Sequence, residues 1–314
     1  MMNCLYCYKP LLEHENDFHF LCSKKFFGSQ IAPEFPYSEN QMIELAEQVV
    51  RSQTTVTGVQ PKISVNISSD SNQNGQKRFT IMGLYGGYIL KPPFNKYPFM
   101  PEIEDLTMHL ATIAKLKVVP HSLIRLESGS LAYITKRIDR VNNKKLHMED
   151  MCQLTERLTE DKYHGSNEQI AKAILKYSTN PVLDVINFFE QVLFSFLTGN
   201  ADMHLKNFSL IQLPKIGHVL SPAYDMVATA LINPDDDEDL ALTLNGKKKK
   251  IVKDDFVKAF NTSKLDHKQQ ENIFNKMLKA KDNWMDFIDI SFLNDQYKSE
   301  YKKLIIERFD RLSL

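Results

Sequence analysis

Asn200-Ala201-Asp202-Met203-His204-Leu205-Lys206-Asn207, followed further along by Ala223-Tyr224-Asp225, is the stretch whose reading decides the fold. An acid that can accept a hydroxyl proton, an amide close behind it and a second acid later in the chain are what phosphoryl transfer needs to orient a nucleophile and hold magnesium. Isolated Asp and Asn residues also mark ordinary turns, so the neighbouring segments carry the weight. Upstream, Pro181 to Leu197 is apolar almost all round and predicts a buried helix, ending at Thr198-Gly199, where glycine suits the C-terminal cap. Downstream, Phe208 to Leu213 predicts a strand, Lys215 to His218 a turn and Val219-Leu220 the return. Asp202 is therefore expected in a loop anchored directly behind a rigid core helix, a common way of holding a reactive group.

The chain has 314 residues, enough for two lobes or one large domain, with 43% hydrophobic and 25% charged residues as in ordinary globular proteins. Its 39 basic and 39 acidic residues cancel, so no bulk charge draws it to nucleic acid or membrane. No apolar run approaches the roughly 20 residues of a membrane helix, and the start, Met1-Met2-Asn3-Cys4-Leu5-Tyr6, lacks a basic region followed by an apolar one. A cytoplasmic protein is expected. Four cysteines in so long a chain do not read as a disulfide framework.

Cys4 and Cys7 form a C-x2-C pair, and His19 with Cys22 adds two more soft ligands, a set that would suit zinc. The segment is short for a closed knuckle, and cysteines also serve as small buried hydrophobes; without metal they would pack under Phe26-Phe27. Apolar residues at helical spacing predict a helix from Tyr37 to Ser52, and Thr54 to Lys62 is a hydroxyl-rich loop around Gly58 that can cradle phosphates, although it is not a Walker motif. Strands are expected over Ile63 to Ile67, Phe79 to Met82 and Tyr88 to Lys91, with Asn74-Gly75 as a tight turn. Lys91, delivered at a strand end before Pro92-Pro93, is a candidate for nucleotide phosphates or a snorkelling surface lysine. Glu104 opens a helix from Ile103 to Leu116 and could pair with Lys91 or complement the helix dipole. A hairpin is expected around Glu127-Ser128-Gly129-Ser130, and a hinge at Arg137 to Arg140. His147 to Leu154 opens a helical region, the acidic run Asp235 to Asp239 and the basic run Lys247 to Lys250 read as solvated loops, and the end of the chain is helical with Trp284 in its core.

Taken together, Thr57-Gly58-Val59-Gln60-Pro61-Lys62, Ile89-Leu90-Lys91, Arg137-Ile138-Asp139-Arg140, Glu149-Asp150-Met151-Cys152-Gln153, Asn200 to Ser209 and Tyr224-Asp225-Met226 resemble, in family order, the HipA-like serine/threonine kinases of bacterial toxin–antitoxin modules. The resemblance implies an α+β, two-lobed, protein-kinase-like fold, with a β-rich N-lobe over 1–136 and a mostly helical C-lobe over 137–314. It implies ATP and Mg2+, with Asp202 as catalytic base, His204 and Lys206 beside the transferring phosphate, and Asn207 and Asp225 as metal ligands. Thr55, Val56, Thr57, Gly58, Val59, Gln60, Lys62 and Lys91 would meet the nucleotide phosphates, Glu104 would pair with Lys91, and Lys136, Arg137 and Ile138 would receive the adenine. It further implies inhibitory autophosphorylation at Thr55 or Thr57, since phosphate charge there would repel ATP. Thr55 stands where serine is usual and Pro61 where glutamate is frequent, which bears on the modified position and the loop's shape. The phosphate loop begins so early that the chain looks like the short HipT form. That form implies a separate HipS-like protein, a HipB-like helix-turn-helix protein through which alone DNA would be met, and an aminoacyl-tRNA synthetase target, the tryptophanyl enzyme favoured, whose modification would stop translation. Two other readings are a catalytically idle binding module in a repressor complex and a small-molecule kinase of related fold.

Overall fold

A computed structural model of the protein describes residues 2–38, 41–42, 44, 62–71, 75–82, 86–94, 96–141, 144–233 and 235–314. The expected phosphate loop, with Thr55, Val56, Thr57, Gly58, Val59 and Gln60, lies outside the described residues, as does most of the helix expected after Tyr37. The chain divides into two compact units. One comprises Met1–Asp105, Val119–Ile138 and Ile290–Phe292; the other Leu106–Val118, Asp139–Asp289 and Leu293–Leu314.

The first unit is built on a five-stranded antiparallel sheet of order β2-β1-β3-β5-β4, with β1 Ile63–Ser71, β2 Lys77–Ile81, β3 Tyr88–Lys91, β4 His121–Arg125 and β5 Leu131–Lys136. Alternating apolar residues register Ile63 against Leu90 and Leu90 against Ile134, so their buried side chains share one face. Helix α1, Phe20–Phe27, lays Phe26 and Phe27 against that aromatic core, with ring centroids 5.9 Å apart for Phe26–Tyr88 and again for Phe27–Phe79. Helix α2, Met100–Ile113, begins in this unit, and its residues from Leu106 onward belong to the second. In the first unit its buried Asp105 accepts hydrogen bonds of 2.7 Å from the Tyr8 hydroxyl and from His121 Nδ1, tying the N-terminal segment, the helix and β4 to one carboxylate.

The second unit is mostly helical. A short ribbon, β6 Arg140–Val141 with β7 Lys144–Lys145, precedes β8 Met148–Asp150 and α3 Met151–Leu154; then come α4 Asn167–Tyr177 and α5 Pro181–Leu197. Strands β9 Ser209–Leu213 and β10 Gly217–Leu220 form an antiparallel sheet of order β10-β9-β8, followed by α6 Thr229–Ile232, α7 Lys253–Thr262, α8 His267–Asp289 and α9 Asp295–Arg311. The predicted apolar helix is α5, its bounds as expected, with Phe188, Phe189, Phe194 and Phe196 fully buried. Trp284 packs edge-on to Phe194 at 5.5 Å, and its indole N–H donates to the Leu110 carbonyl at 2.8 Å.

Two expectations change. The region opening at His147 is not helical from its start: Met148–Asp150 pairs with β9, because Asp150 is the cap that begins α3. Gln153 N donates to Asp150 Oδ1 at 3.0 Å and Asp150 N to Gln153 Oε1 at 2.9 Å, a capping box that sends the preceding residues into a strand. The charge runs are not simply solvated. Lys249 pairs with Asp237, Lys248 with Glu238 at 3.3 Å, and Asp239 is buried, bonded to Arg308 and, at 2.8 Å, to Arg311. Asp239 Oδ2 also accepts from Ile251 N at 2.9 Å. Burial, and after it the neighbouring Arg311, lowers the Arg308 pKa to about 10. Asp239→Ala would leave buried guanidinium charge unmatched, so urea denaturation should show the second unit destabilised by about 3 kcal/mol. A loss below about 0.5 kcal/mol would place the pair among surface salt bridges.

Candidate active site

Two residues past the end of α5, after the Thr198 cap, the chain needs a glycine. Gly199 has φ 68°, and a Cβ there would meet Leu304 Cδ2 at 2.6 Å and Ala230 Cβ at 3.0 Å. The chain turns sharply and enters the loop Asn200–Asn207 with its backbone bonds already assigned. Asn200 N donates to Ser195 O at 2.8 Å, Ala201 N to Thr229 Oγ1 at 2.8 Å, and Asp202 N to Asn200 Oδ1 at 3.2 Å.

Asp202 is partly exposed, and its Oδ1 accepts from the Tyr163 hydroxyl at 2.6 Å. Burial, with the Asp202 charge beside it, pushes the Tyr163 pKa well up, so the phenol keeps its proton and donates. Asn207, in a short 3-10 turn over Leu205–Asn207, donates from Nδ2 to the Asp202 carbonyl at 3.0 Å, which commits its nitrogen and leaves Oδ1 as the atom that can face a cation. Lys206 Nζ is 2.6 Å from Asp150 Oδ2. Tyr224 brackets the loop, its hydroxyl 2.5 Å from Ser209 Oγ and donating to Lys206 O at 3.1 Å.

Asp225 adopts φ 56°, a left-handed conformation that a side-chain-bearing residue takes at a cost. Its neighbours fix it: Ala223 N donates to Lys117 O at 2.8 Å and Met226 is fully buried. The Asp225 charge acts on both His204 and Tyr224. Asp202, Asn207 and Asp225 give the second unit two carboxylates and an amide oxygen on either side of the β9–β10 hairpin, hard donors of the kind a divalent cation such as magnesium takes.

His204 is buried edge-on to the Tyr163 ring at 5.0 Å, and its Nδ1 has no hydrogen-bond partner among the described residues, nor has Asn200 Nδ2. Burial lowers the His204 pKa to about 4, against the opposing pull of the Asp202 charge, so the ring is neutral at physiological pH.

In the first unit, Lys91 Nζ lies 2.5 Å from Glu104 Oε1, and both side chains are buried. Lys91 is the last residue of β3, the central strand, where Pro92-Pro93 stop the pairing; Glu104 sits on α2. The ammonium also lies 5.4 Å from the Tyr133 ring centroid. Lys136 lies 5.5 Å from the Phe26 ring and 5.9 Å from Tyr88, and burial lowers its pKa. Arg137 and Ile138 are half-buried, Arg137 N donating to Gly87 O at 2.9 Å, and Lys62 is exposed. Sequence reasoning missed Tyr163 and Asp150 as partners of Asp202 and Lys206. For Asp150 the advance signals were its place in the Glu149–Gln153 stretch of the resemblance and the Asp150-x-x-Gln153 capping spacing; nothing in sequence separates Tyr163 from other tyrosines.

A family model described as the HipA-like C-terminal domain matches residues 54–285. The chain belongs to this family. A Haemophilus influenzae protein provisionally named a kinase is 30% identical over 249 residues, 72% of this chain and 68% of that protein. The serine/threonine-protein kinase toxin HipA of Shewanella oneidensis is 27% identical over 212 residues, 61% of this chain and 46% of the toxin. Among solved structures, the Shewanella oneidensis toxin–antitoxin complex of HipA, HipB and operator DNA gives a TM-score of 0.69 at 20% identity, covering 85% of this chain and 71% of that one. At that identity the likeness is one of fold, and the mixed α+β architecture, a β-rich unit and a helical one, is HipA-like.

Because the His204 pKa lies below the ordinary histidine value near 6.5, the unfolded chain takes up that proton first as pH falls. Its stabilising contribution is full above pH about 6.5 and is lost towards pH about 4, up to about 3 kcal/mol. Denaturation midpoints between neutral pH and pH about 5 should fall for the wild type and much less for His204→Gln. Equal slopes would mean His204 is not the titrating group.

Proposed function

We propose that this chain is an ATP-dependent serine/threonine protein kinase of toxin type. The observation that carries the reading is the braced loop of Asp202 and Asn207 with the strained Asp225 beyond it, in a chain of HipA-like family and fold. In this assignment Asp202 accepts the proton of a serine or threonine hydroxyl as its oxygen bonds to the γ-phosphorus of ATP, while the bond from that phosphorus to the β–γ bridging oxygen breaks and ADP leaves. Tyr163 holds the carboxylate in one rotamer. Lys206, its charge shared with Asp150, and neutral His204 flank the transferring group. Asn207 and Asp225 hold magnesium, which when bound would offset charge on the phosphates. Lys91, oriented by Glu104, meets the phosphates together with Lys62 and the loop of Thr55, Val56, Thr57, Gly58, Val59 and Gln60; Lys136, Arg137 and Ile138 receive the adenine.

The same reading makes Thr55 or Thr57 the autophosphorylated residue, the phosphate charge repelling ATP. It takes an aminoacyl-tRNA synthetase, the tryptophanyl enzyme favoured, as the substrate that arrests translation in the cytoplasm. The chain would act as a HipT-type toxin with a HipS-like small antitoxin and a HipB-like DNA-binding partner. The Shewanella oneidensis HipA–HipB–operator complex supports a partner of the latter kind.

Intact-mass measurement with peptide mapping after incubation with magnesium and ATP should find phosphate on Thr55 or Thr57 of the wild type. Asp202→Ala should lower the labelling rate by about 10²–10⁴-fold while largely preserving nucleotide affinity. Wild type that binds ATP but never labels itself or a polypeptide would move the assignment to an idle binding module; labelling by Asp202→Ala at the wild-type rate would remove Asp202 as the base.

A further inference from the structure

Four metal-grade side chains converge in the N-terminal segment, and none has a part in the phosphoryl transfer proposed above. Cys4, Cys7, His19 and Cys22 each present one ligand atom, all within 4.8 Å of one another. His19 Nδ1 lies 3.3 Å from Cys7 Sγ and 3.7 Å from Cys22 Sγ. A tetrahedral zinc site with Zn–S about 2.3 Å and Zn–N about 2.0 Å separates sulfur from nitrogen by about 3.5 Å and sulfurs by about 3.8 Å.

The backbone holds the ligands in that arrangement. Cys4-Leu5-Tyr6-Cys7 is a tight turn closed by Tyr8 N donating to Cys4 O and Cys4 N to Lys9 O, both at 2.9 Å, with Tyr8 left-handed at φ 64°. His19 is the N-cap of α1, and Cys22, three residues on, lies in its first turn, so one helix end supplies two ligands to the same side. His19 N donates to Cys4 Sγ at 3.4 Å, a bond that stabilises a thiolate. His19 Nε2 lies 2.9 Å from the Pro10 carbonyl. A carbonyl only accepts, so the ring proton sits on Nε2 and the Nδ1 lone pair faces the sulfurs, the outer-shell arrangement of a ligating histidine.

Packing alone does not account for the convergence. Only Cys4 is buried; Cys7, His19 and Cys22 are half-exposed, unlike cysteines acting as small hydrophobes. A disulfide would use two sulfurs and leave the third and the imidazole unexplained.

We propose that Cys4, Cys7, His19 and Cys22 bind one Zn2+ in a closed, structural Cys3His site. Hydrated Zn2+ sheds its waters, the three thiols release their protons to solvent, and no electron changes hands. Three thiolates and one imidazole select zinc over magnesium or calcium, which take oxygen ligands. The ion pins the start of α1, whose Phe26 and Phe27 pack against Phe79 and Tyr88 of the sheet, so its binding energy goes into the fold of the first unit.

The 314-residue chain, purified without chelator, should carry about one zinc per chain by elemental analysis. Stripped, reduced and titrated with cobalt, it should develop thiolate charge-transfer absorption and the intense visible bands of tetrahedral cobalt, abolished by added zinc. Cys22→Ser and His19→Ala should weaken metal binding at least about tenfold and lower the unfolding temperature, while Cys152→Ser, remote in sequence, keeps full stoichiometry. Should the ligand variants not fold, the wild-type cobalt spectrum decides alone. A reduced wild-type chain that takes up neither metal, gives an octahedral cobalt spectrum, or is isolated with a Cys–Cys disulfide among these residues overturns the proposal. None of these outcomes depends on whether the chain phosphorylates anything.

Discussion

The way α5 stops governs what the second unit can do. Its last turn is buried on every side, Thr198 caps it from within the core, and at the next position, between Leu304 and Ala230, there is no room for a side chain, so Gly199 turns left-handed. From there the loop has few choices: Asn200 is buried, Ala201 is held by Thr229, and Asp202 is delivered to Tyr163. A carboxylate placed this way owes its orientation to core packing, which relaxes little at room temperature. Asn207 closes the loop by bonding back to the Asp202 carbonyl, so the two polar groups hold each other at a fixed spacing.

Much of this was legible in sequence because it is periodic or punctuated. The run Pro181 to Leu197 announces a buried helix, and the apolar-rich run after Asn207, broken at Pro214-Lys215, announces a hairpin. The α+β architecture follows from strands gathered early and helices late. The pairing of Lys91 with Glu104 could be offered because a strand-end lysine and a helix acid stood at suitable places, but only burial on both sides separates it from a snorkelling lysine and a dipole acid. What could not be read are tertiary partnerships without a local signature. Tyr163 and Asp202 are joined by folding alone, and β8 was hidden because a helical period begins only one residue after it, at Met151. The acidic run misled for the same reason: four of its five members behave as loop residues, and the fifth, Asp239, is carried inside by arginines near the far end of the chain.

Two buried ion pairs of similar build serve different ends. Asp239 with Arg308 and Arg311 fixes the path between the charge runs and α9, and it has a backbone donor on its second oxygen, so its charge is fully matched within the fold. Lys91 with Glu104 sits at the end of a central strand, where pairing stops at two prolines. Burying an ammonium and a carboxylate together adds little net stability beyond what apolar residues of similar size would provide. On the function proposed above, the pair serves to hold the lysine for the nucleotide phosphates rather than to stabilise the fold.

Asp150 divides its labour between its two oxygens: Oδ1 starts α3 by accepting from Gln153 N, and Oδ2 holds Lys206. The first task needs only a hydrogen-bond acceptor, which asparagine supplies as well as aspartate; the second needs negative charge. A lineage could therefore exchange one for the other, keep the helix and the strand before it, and loosen only the lysine. If the chain is the toxin proposed above, such a change would offer drift a graded dial: potency turned down in small steps, with the fold left as it was.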